Sequence, residues 1–323
     1  MTGLPPRVSV VAATHNREAR LAMLLDSLRE QTLDRREFEV IIVDDASGDG
    51  TRELLARELE RGDLDLRVLH LEANRGPGFA RNQGWAMARG SLIAFTDDDC
   101  VAMPDWLQAG LVEHEREPGA IVQGRTDPLP SELHLMGPFS RTLEIHTLGP
   151  FFQTCNVFYP RSLLEDLGGF DGGSFSGPAG EDTDLAWRGI QRGAGTRFAG
   201  DAVIHHAVVR LGPIGYLRGA SRWSESVQLF RRHPGLRRVH LHKRWFWHAN
   251  HWLLFRVLLA MLLRRHLPLV VLNWLRSPYL ANLVVRMGRR GGGPLIVPYL
   301  VLYDVLEMAA ILRASAKYRT LVI

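Results

Sequence analysis

Short apolar, β-branched runs alternate with helical patterns from the start of the chain. Arg7 to Ala13 (RVSVVAA), Phe38 to Val43 (FEVIIV), Leu66 to Leu71 (LRVLHL) and Ser91 to Thr96 (SLIAFT) read as buried strands. The stretches between them, roughly Arg17 to Gln31, Asp49 to Arg61 and Gly76 to Arg89, have the spacing of amphipathic helices. This alternation predicts an α/β domain with a parallel, doubly wound sheet. Ligands of such sheets bind beyond the carboxyl ends of the strands, so the residues that follow each strand are the ones to weigh. They are polar throughout: Thr14-His15-Asn16-Arg17, Asp44-Asp45-Ala46-Ser47, Asn74-Arg75-Gly76 and Asp97-Asp98-Asp99-Cys100.

Farther along, a helix opens near Pro104 and a strand is expected at Ala120 to Gln123. Arg125 to Pro150 has no clean period and many loop formers, which predicts a mobile loop. Phe151 to Tyr159 reads as a strand, Gly168 to Gly180 as a glycine-rich loop, Glu181 to Arg192 as a helix, and Thr196 to Ala199 as a strand ending near His205-His206. The first domain is therefore placed at residues 1–210 and a second, mainly helical module at 211–323. In the module, Ile214 to His233 suggests one helix, Trp245 to Leu275 is rich in tryptophan, leucine and arginine, and Gly291-Gly292-Gly293 precedes a last helix from Pro298 to Arg319. Arg256, Arg264, Arg265, Asp304 and Glu307 interrupt the apolar runs before the roughly 20 residues needed to cross a bilayer. Helices lying in a membrane interface are the expectation instead.

Composition sharpens this division. At 323 residues and 46% hydrophobic content the chain can bury a large core. Cys100 and Cys155 make neither a disulfide framework nor a four-ligand zinc site, and no signal peptide opens the sequence, so a cytoplasmic address is expected. The net charge of +4 hides a strong polarity. Met1 to His205 holds 20 basic and 32 acidic residues, or −12; His206 to Ile323 holds 19 and 3, or +16. The cationic third calls for an anionic partner.

Asp97 and Asp99 stand two apart at a strand end, where the pleat would turn both carboxylates the same way, toward a divalent cation arriving with a substrate diphosphate. Asp44 or Asp45 can accept a hydrogen bond from a base N–H or a ribose hydroxyl, whereas Ser47 and Asp49 read as helix caps. A calcium loop beginning at Asp45 is excluded because its twelfth position is Ala56. Gly76-Pro77-Gly78 opens a helix that bears Arg81 and Asn82 and follows Arg75, a setting suited to phosphate. Neither G-x-G-x-x-G after the first strand nor a P-loop is present, which argues against dinucleotide oxidoreductases and P-loop enzymes.

Together VSVVAATHNR, VIIVDDASGDGT, NRGPGFARNQG, AFTDDDC and GEDTDLAWR resemble the successive motifs of family 2 glycosyltransferases over residues 7–206. The resemblance implies the GT-A fold, a nucleotide-diphospho-sugar donor, a Mg²⁺ or Mn²⁺ ion and transfer to an acceptor hydroxyl with inversion. Carried over, it places Thr14, Asn16 and Arg17 at the nucleotide, Asp44 or Asp45 at the base, and Arg75, Gly76, Arg81 and Asn82 near the base or phosphates. Asp97 and Asp98 fall to the donor, with Asp97 at ribose or metal and Asp99 on the metal. In Gly180-Glu181-Asp182, Asp182 resembles the catalytic base, with Glu181 as the substitute, and His205 or His206 would complete the metal shell. The Gln-x-x-Arg-Trp motif of processive synthases has its nearest match at Gly219 to Trp223, without the glutamine, so a single sugar per acceptor is expected.

Trp245, Trp247, Trp252 and Trp274, with Arg256, Arg264, Arg265 and Arg276, have the composition of a membrane-interface helix pair. A core stripe or a homodimer interface is the alternative. Nucleic acid is set aside, since long leucine-rich stretches have no role in a solvated groove. The expected protein is peripheral on the inner face of the cell membrane and acts on a sugar or lipid-linked acceptor. A nucleotidyltransferase is the rival enzyme, disfavoured by the missing triphosphate loop, and an inactive membrane scaffold is the rival non-enzyme, disfavoured by intact Asp97, Asp99 and Asp182.

Overall fold

The computed structural model describes residues 5–175 and 179–323, so part of the glycine-rich loop expected at Gly168 to Gly180 lies outside the described residues. The chain forms two compact units: residues 1–133 with 142–207, and residues 134–141 with 208–323.

The first unit begins with the expected alternation: β1 (Val8–Thr14), α1 (Glu18–Arg29), β2 (Phe38–Asp44), α2 (Thr51–Arg61), β3 (Leu66–His70), α3 (Pro77–Met87) and β4 (Leu92–Thr96). It continues with β5 (Cys100–Ala102), α4 (Trp106–Arg116), β6 (Ile121–Pro128), β8 (Asn156–Pro160), α5 (Arg161–Leu167), α6 (Glu181–Gln191) and β9 (Thr196–His206); β7 (Ser140–Arg141) belongs to the second unit. All but β7 join one eight-stranded sheet in the order β3-β2-β1-β4-β8-β6-β9-β5. The first four are parallel, β8 runs antiparallel to β4 and β6, and β5 antiparallel to β9. The sheet is thus mixed, not wholly parallel.

Both faces are covered, which is why the central strands read as unbroken apolar runs. Val8, Val10 and Ala12 pack with Leu21, Leu24 and Leu28 of α1 and Trp106 of α4, while Val11, Ile41 and Phe95 pack with Ala80 of α3 and Leu185 of α6. The expected loop from Arg125 is still strand through Pro128. Its signal is weak because the β6–β9 pairing slips between Gly124 and Arg125, where wholly buried Asn156 fills the irregularity and donates to the carbonyls of Arg125 (2.7 Å) and Ala202 (2.8 Å). A Cβ at Gly124 would sit 2.2 Å from that amide, so only glycine fits. In the other direction, the strand expected from Phe151 starts only at Asn156.

The second unit pairs β7 with β10 (Val209–Arg210) and is otherwise helical. The single helix expected over Ile214 to His233 is broken into α7 (Gly212–Arg218), two 3₁₀ turns and α8 (Leu229–Arg232), followed by α9 (Pro234–His240). Then come α10 (Ala249–Leu262), α11 (Leu269–Arg290) and α12 (Val297–Tyr318). Leu300, Met308 and Tyr279 form its core with Leu254 and Tyr216. Two buried acids brace α12: Asp304 accepts a bidentate pair from Arg286 (2.6 and 2.9 Å) and a bond from the Tyr279 hydroxyl (2.8 Å), and Glu307 faces His251 at 3.1 Å. This corrects the expectation that no stretch is long enough to cross a membrane. The segment Gly293–Tyr318 is long and apolar enough by length and composition even with Asp304 and Glu307 in it; the buried core helix of a soluble protein can be equally long and apolar.

Candidate active site

The carboxyl ends of β2, β1 and β4 lie side by side. Thr14 closes β1 in the interior, and the loops that follow β1 and β2 are stitched together. Asn16 takes a left-handed φ of 55°; its N–H donates to the Ser47 hydroxyl (2.9 Å), and its amide oxygen accepts from the Gly48 N–H (2.7 Å). Asp44 is wholly buried and accepts from the Ser47 N–H (2.9 Å), Arg52 Nε (3.1 Å) and His70 Nδ1 (2.9 Å). Burial opposes its charge, but these donors hold its carboxyl below the usual range. Asp45 accepts from the N–H groups of Arg75 (2.7 Å) and Gly76 (2.8 Å), fixing the entry to α3. Asn82 binds Phe170 through both its N–H and C=O (2.8 Å each), close against Gly169, whose φ of +71° and contact with Asn82 admit no side chain.

Asn16, Asp44, Asp45 and Asn82, expected at the donor, therefore serve the framework in this structure, and Asp44 presents no surface to a ligand. Strand-end carboxylates and amides satisfy the otherwise orphaned N–H groups of the next loop. Arg75 differs: it is exposed, lies over the Phe79 ring at 4.1 Å and has no carboxylate partner among the described residues.

The pleat argument for Asp97 and Asp99 fails, because β4 stops at Thr96 and the chain turns, with the Cys100 N–H donating to the Asp97 carbonyl (3.2 Å). Asp97 turns to Arg81 Nη2 (2.7 Å), and Asp99 to Arg17 and His206. Asp98 is buried and pairs with Arg17 at 3.2 Å; burial pushes its carboxyl up to about 6 against that attraction.

Asp99, Cys100 and His206 are the one set of ligand-type residues among those described whose atoms gather closely enough to share a metal ion. Antiparallel pairing sets Cys100 directly opposite His206. Burial pushes the Cys100 thiol far up, leaving it protonated and a poor ligand. The imidazole fits better. His206 Nδ1 lies 2.9 Å from the Ala207 carbonyl, which can only accept, so Nδ1 donates there and Nε2 is the nitrogen turned toward Asp99 Oδ1, 3.6 Å away. His205, one residue earlier on the strand, faces Asp127 and Arg125 instead, and Asp97 is outside the cluster. The residues that fit a hard divalent cation are thus Asp99 and His206.

Gly180, at φ 105°, starts α6 and sets Glu181 and Asp182 in its first turn. Asp182 Oδ1 accepts from the Thr183 N–H at 2.7 Å. Buried Arg81 spans Asp97 and Glu181 (3.7 Å) and keeps two guanidinium nitrogens, Nε and Nη1, without hydrogen bonds; Glu181 Oε2 is likewise unpaired. Arg81, expected near the base or phosphates, is the internal counter-ion of this carboxylate cluster in this structure. Burial comes first among the causes that raise both acids, followed for Glu181 by repulsion from Asp182; Arg81 offsets only part of it. Five carboxylates, Asp97, Asp98, Asp99, Glu181 and Asp182, thus share two guanidiniums, Arg17 and Arg81. The site is short of positive charge and holds at least one carboxyl group poised near neutrality. Sequence reasoning passed over Cys100, whose place beside His206 is visible only through strand pairing.

The model of glycosyl transferase family 2 matches residues 9–175, just over half of the chain. Glycosyltransferase AglE of Haloferax volcanii is 27% identical over 222 residues, 64% of this chain and 68% of AglE. The pre-mycofactocin glycosyltransferase of Mycobacterium tuberculosis is 30% identical over 218 residues, 62% of this chain and 42% of that protein, so the chain spans less than half the length of this relative. Among solved structures, the mannosyltransferase PcManGT from Pyrobaculum calidifontis, in complex with GDP-Man and Mn²⁺, superposes with a TM-score of 0.66 at 23% identity, over 98% of this chain and 88% of that one. The sheet, the strand-end carboxylates and these likenesses agree: the chain belongs to glycosyl transferase family 2 and is a glycosyltransferase with the GT-A fold.

Proposed function

We propose that the protein moves one sugar from a nucleotide-diphospho-sugar to an acceptor hydroxyl with inversion at the anomeric carbon. The carrying observation is the pairing of a raised carboxyl group at the start of α6 with a separate Asp99–His206 ligand set, since inversion needs a base on the acceptor side and charge neutralisation on the leaving side. Asp182 removes the acceptor proton as that oxygen bonds to the anomeric carbon and the bond to the diphosphate breaks. Its elevated proton affinity suits it to accept a proton near neutral pH. Glu181 and Arg81 tune that affinity. Arg75, exposed beside the first turn of α3, meets the donor phosphates together with the N–H groups of that turn. Asp99 and His206 would hold Mg²⁺ or Mn²⁺, which when bound would neutralise charge on the diphosphate leaving group. An acceptor in a cell-envelope glycan or glycolipid is the class that the cationic, apolar second unit favours. The absent glutamine at Gly219 favours one transfer per acceptor.

Asp182→Asn tests the base. Turnover should fall by about 10² to 10⁴ while donor affinity, measured by calorimetry, stays within a factor of two or so. Loss of donor binding in step with turnover would return Asp182 to a structural role.

A further inference from the structure

Of 25 exposed large apolar side chains among the described residues, 20 belong to the second unit, although it is the shorter one. They concentrate on the hairpin of α10 and α11. Phe255, Leu258 and Met261 form a stripe along the outer face of α10, where a solvated helix would carry polar groups. At the tip, Leu262, Leu269 and Val270 are 76, 75 and 79% exposed. Between them stand Arg264 and Arg265, also exposed. Trp274 is 65% exposed, with the Arg256 guanidinium 4.4 Å from its ring. The expected tryptophan quartet is divided: Trp245 and Trp274 face outward, and Trp247 is buried.

Charge names the partner. From Ser226 to Tyr303 the chain has 13 arginines and lysines and not one Asp or Glu. A second copy would present the same surplus of cations over this stretch, and nucleic acid would leave the leucine and valine tip in water. A bilayer with anionic headgroups satisfies both features: arginines meet phosphate while apolar side chains enter the acyl boundary. α12 does not need to span it, because Asp304 and Glu307 hold that helix in the core of the unit.

We propose that the tip of the α10–α11 hairpin is a docking surface for anionic lipid, with Arg264 and Arg265 at headgroup level and Leu262, Leu269 and Val270 inserted beside them. This holds whatever the donor or the base, and its test does not use transfer.

The test is flotation of the full chain with vesicles of phosphatidylcholine alone or with added phosphatidylglycerol. The protein should float with the anionic vesicles and partly detach as salt rises. Arg264→Gln with Arg265→Gln should weaken partition about twenty-five-fold, at roughly fivefold per arginine. Leu262→Asp with Val270→Asp should remove the salt-resistant remainder. A polarity-sensitive dye on Leu269→Cys should shift to the blue with anionic vesicles and not with phosphatidylcholine. Circular dichroism and donor binding should be unchanged in each variant. Equal flotation with both vesicle types, no loss in the arginine variant, or a concentration-dependent dimer abolished by Leu262→Asp would overturn the proposal.

Discussion

Each unit holds a cluster of buried acids, and the two clusters are balanced in opposite ways. In the helical unit Asp304 is wholly matched by the Arg286 fork and the Tyr279 hydroxyl, and Glu307 by His251. In the α/β unit, Asp97, Asp98, Asp99, Glu181 and Asp182 outnumber Arg17 and Arg81, and Arg81 and Glu181 keep unpaired polar atoms. Burial alone is therefore a poor guide to function. A saturated cluster is a strut, and an unsaturated one is the candidate for a ligand site.

The comparison can be broken most forcefully at the strut. Asp304→Ala leaves the largely buried Arg286 without its carboxylate partner, so chemical denaturation should show a loss of about 3 to 5 kcal/mol. A loss below about 1 kcal/mol would mean that Arg286 escapes to water. At the site, Asp99→Asn should reduce transfer on the order of 10² to 10³-fold and abolish Mn²⁺ binding by calorimetry, with no loss of apoprotein stability, since it removes surplus negative charge. Chelation should mimic it, and full activity in excess chelator would remove the metal from the account.

Two smaller effects sharpen the contrast. Arg75→Gln should weaken donor binding about tenfold and leave the melting temperature unaltered, because the guanidinium braces only the Phe79 ring. Glu181→Gln should stabilise the fold by about 1 kcal/mol at pH 8. The sign follows from the raised carboxyl: stability from its tight proton is present at low pH and is lost as pH rises through the folded pKa. The gain of the glutamine variant should shrink on acidification and vanish below the ordinary Glu range. A gain independent of pH would show that packing, not charge, is responsible. The same raised acids predict that transfer falls on the acid side, about tenfold per pH unit.

Much of the first unit was legible without coordinates. Central strands covered on both faces must be almost wholly apolar, so β1, β2 and β4 stood out, and the polar residues after each marked the carboxyl-end edge of the sheet. The edge strand β3 was also found, although it is only half-buried, because turn residues bound it. The β6 strand past Gly124 was not legible, since its pairing slips around Asn156 and no local period records that.

At the site, residue types could be read but not their assignments. The sequence by itself determined that acids gather at strand ends, that Glu181 and Asp182 open a helix, and that the last third is cationic and apolar. Only the tertiary structure decided that Asp44 and Asp45 clamp loop amides, that Arg81 neutralises carboxylates, and that His206, not His205, reaches Asp99. The reason is range. Periodicity and capping act within a few residues, whereas a carboxylate's partner is set by which strands and loops are neighbours in space, here 107 positions away between Asp99 and His206.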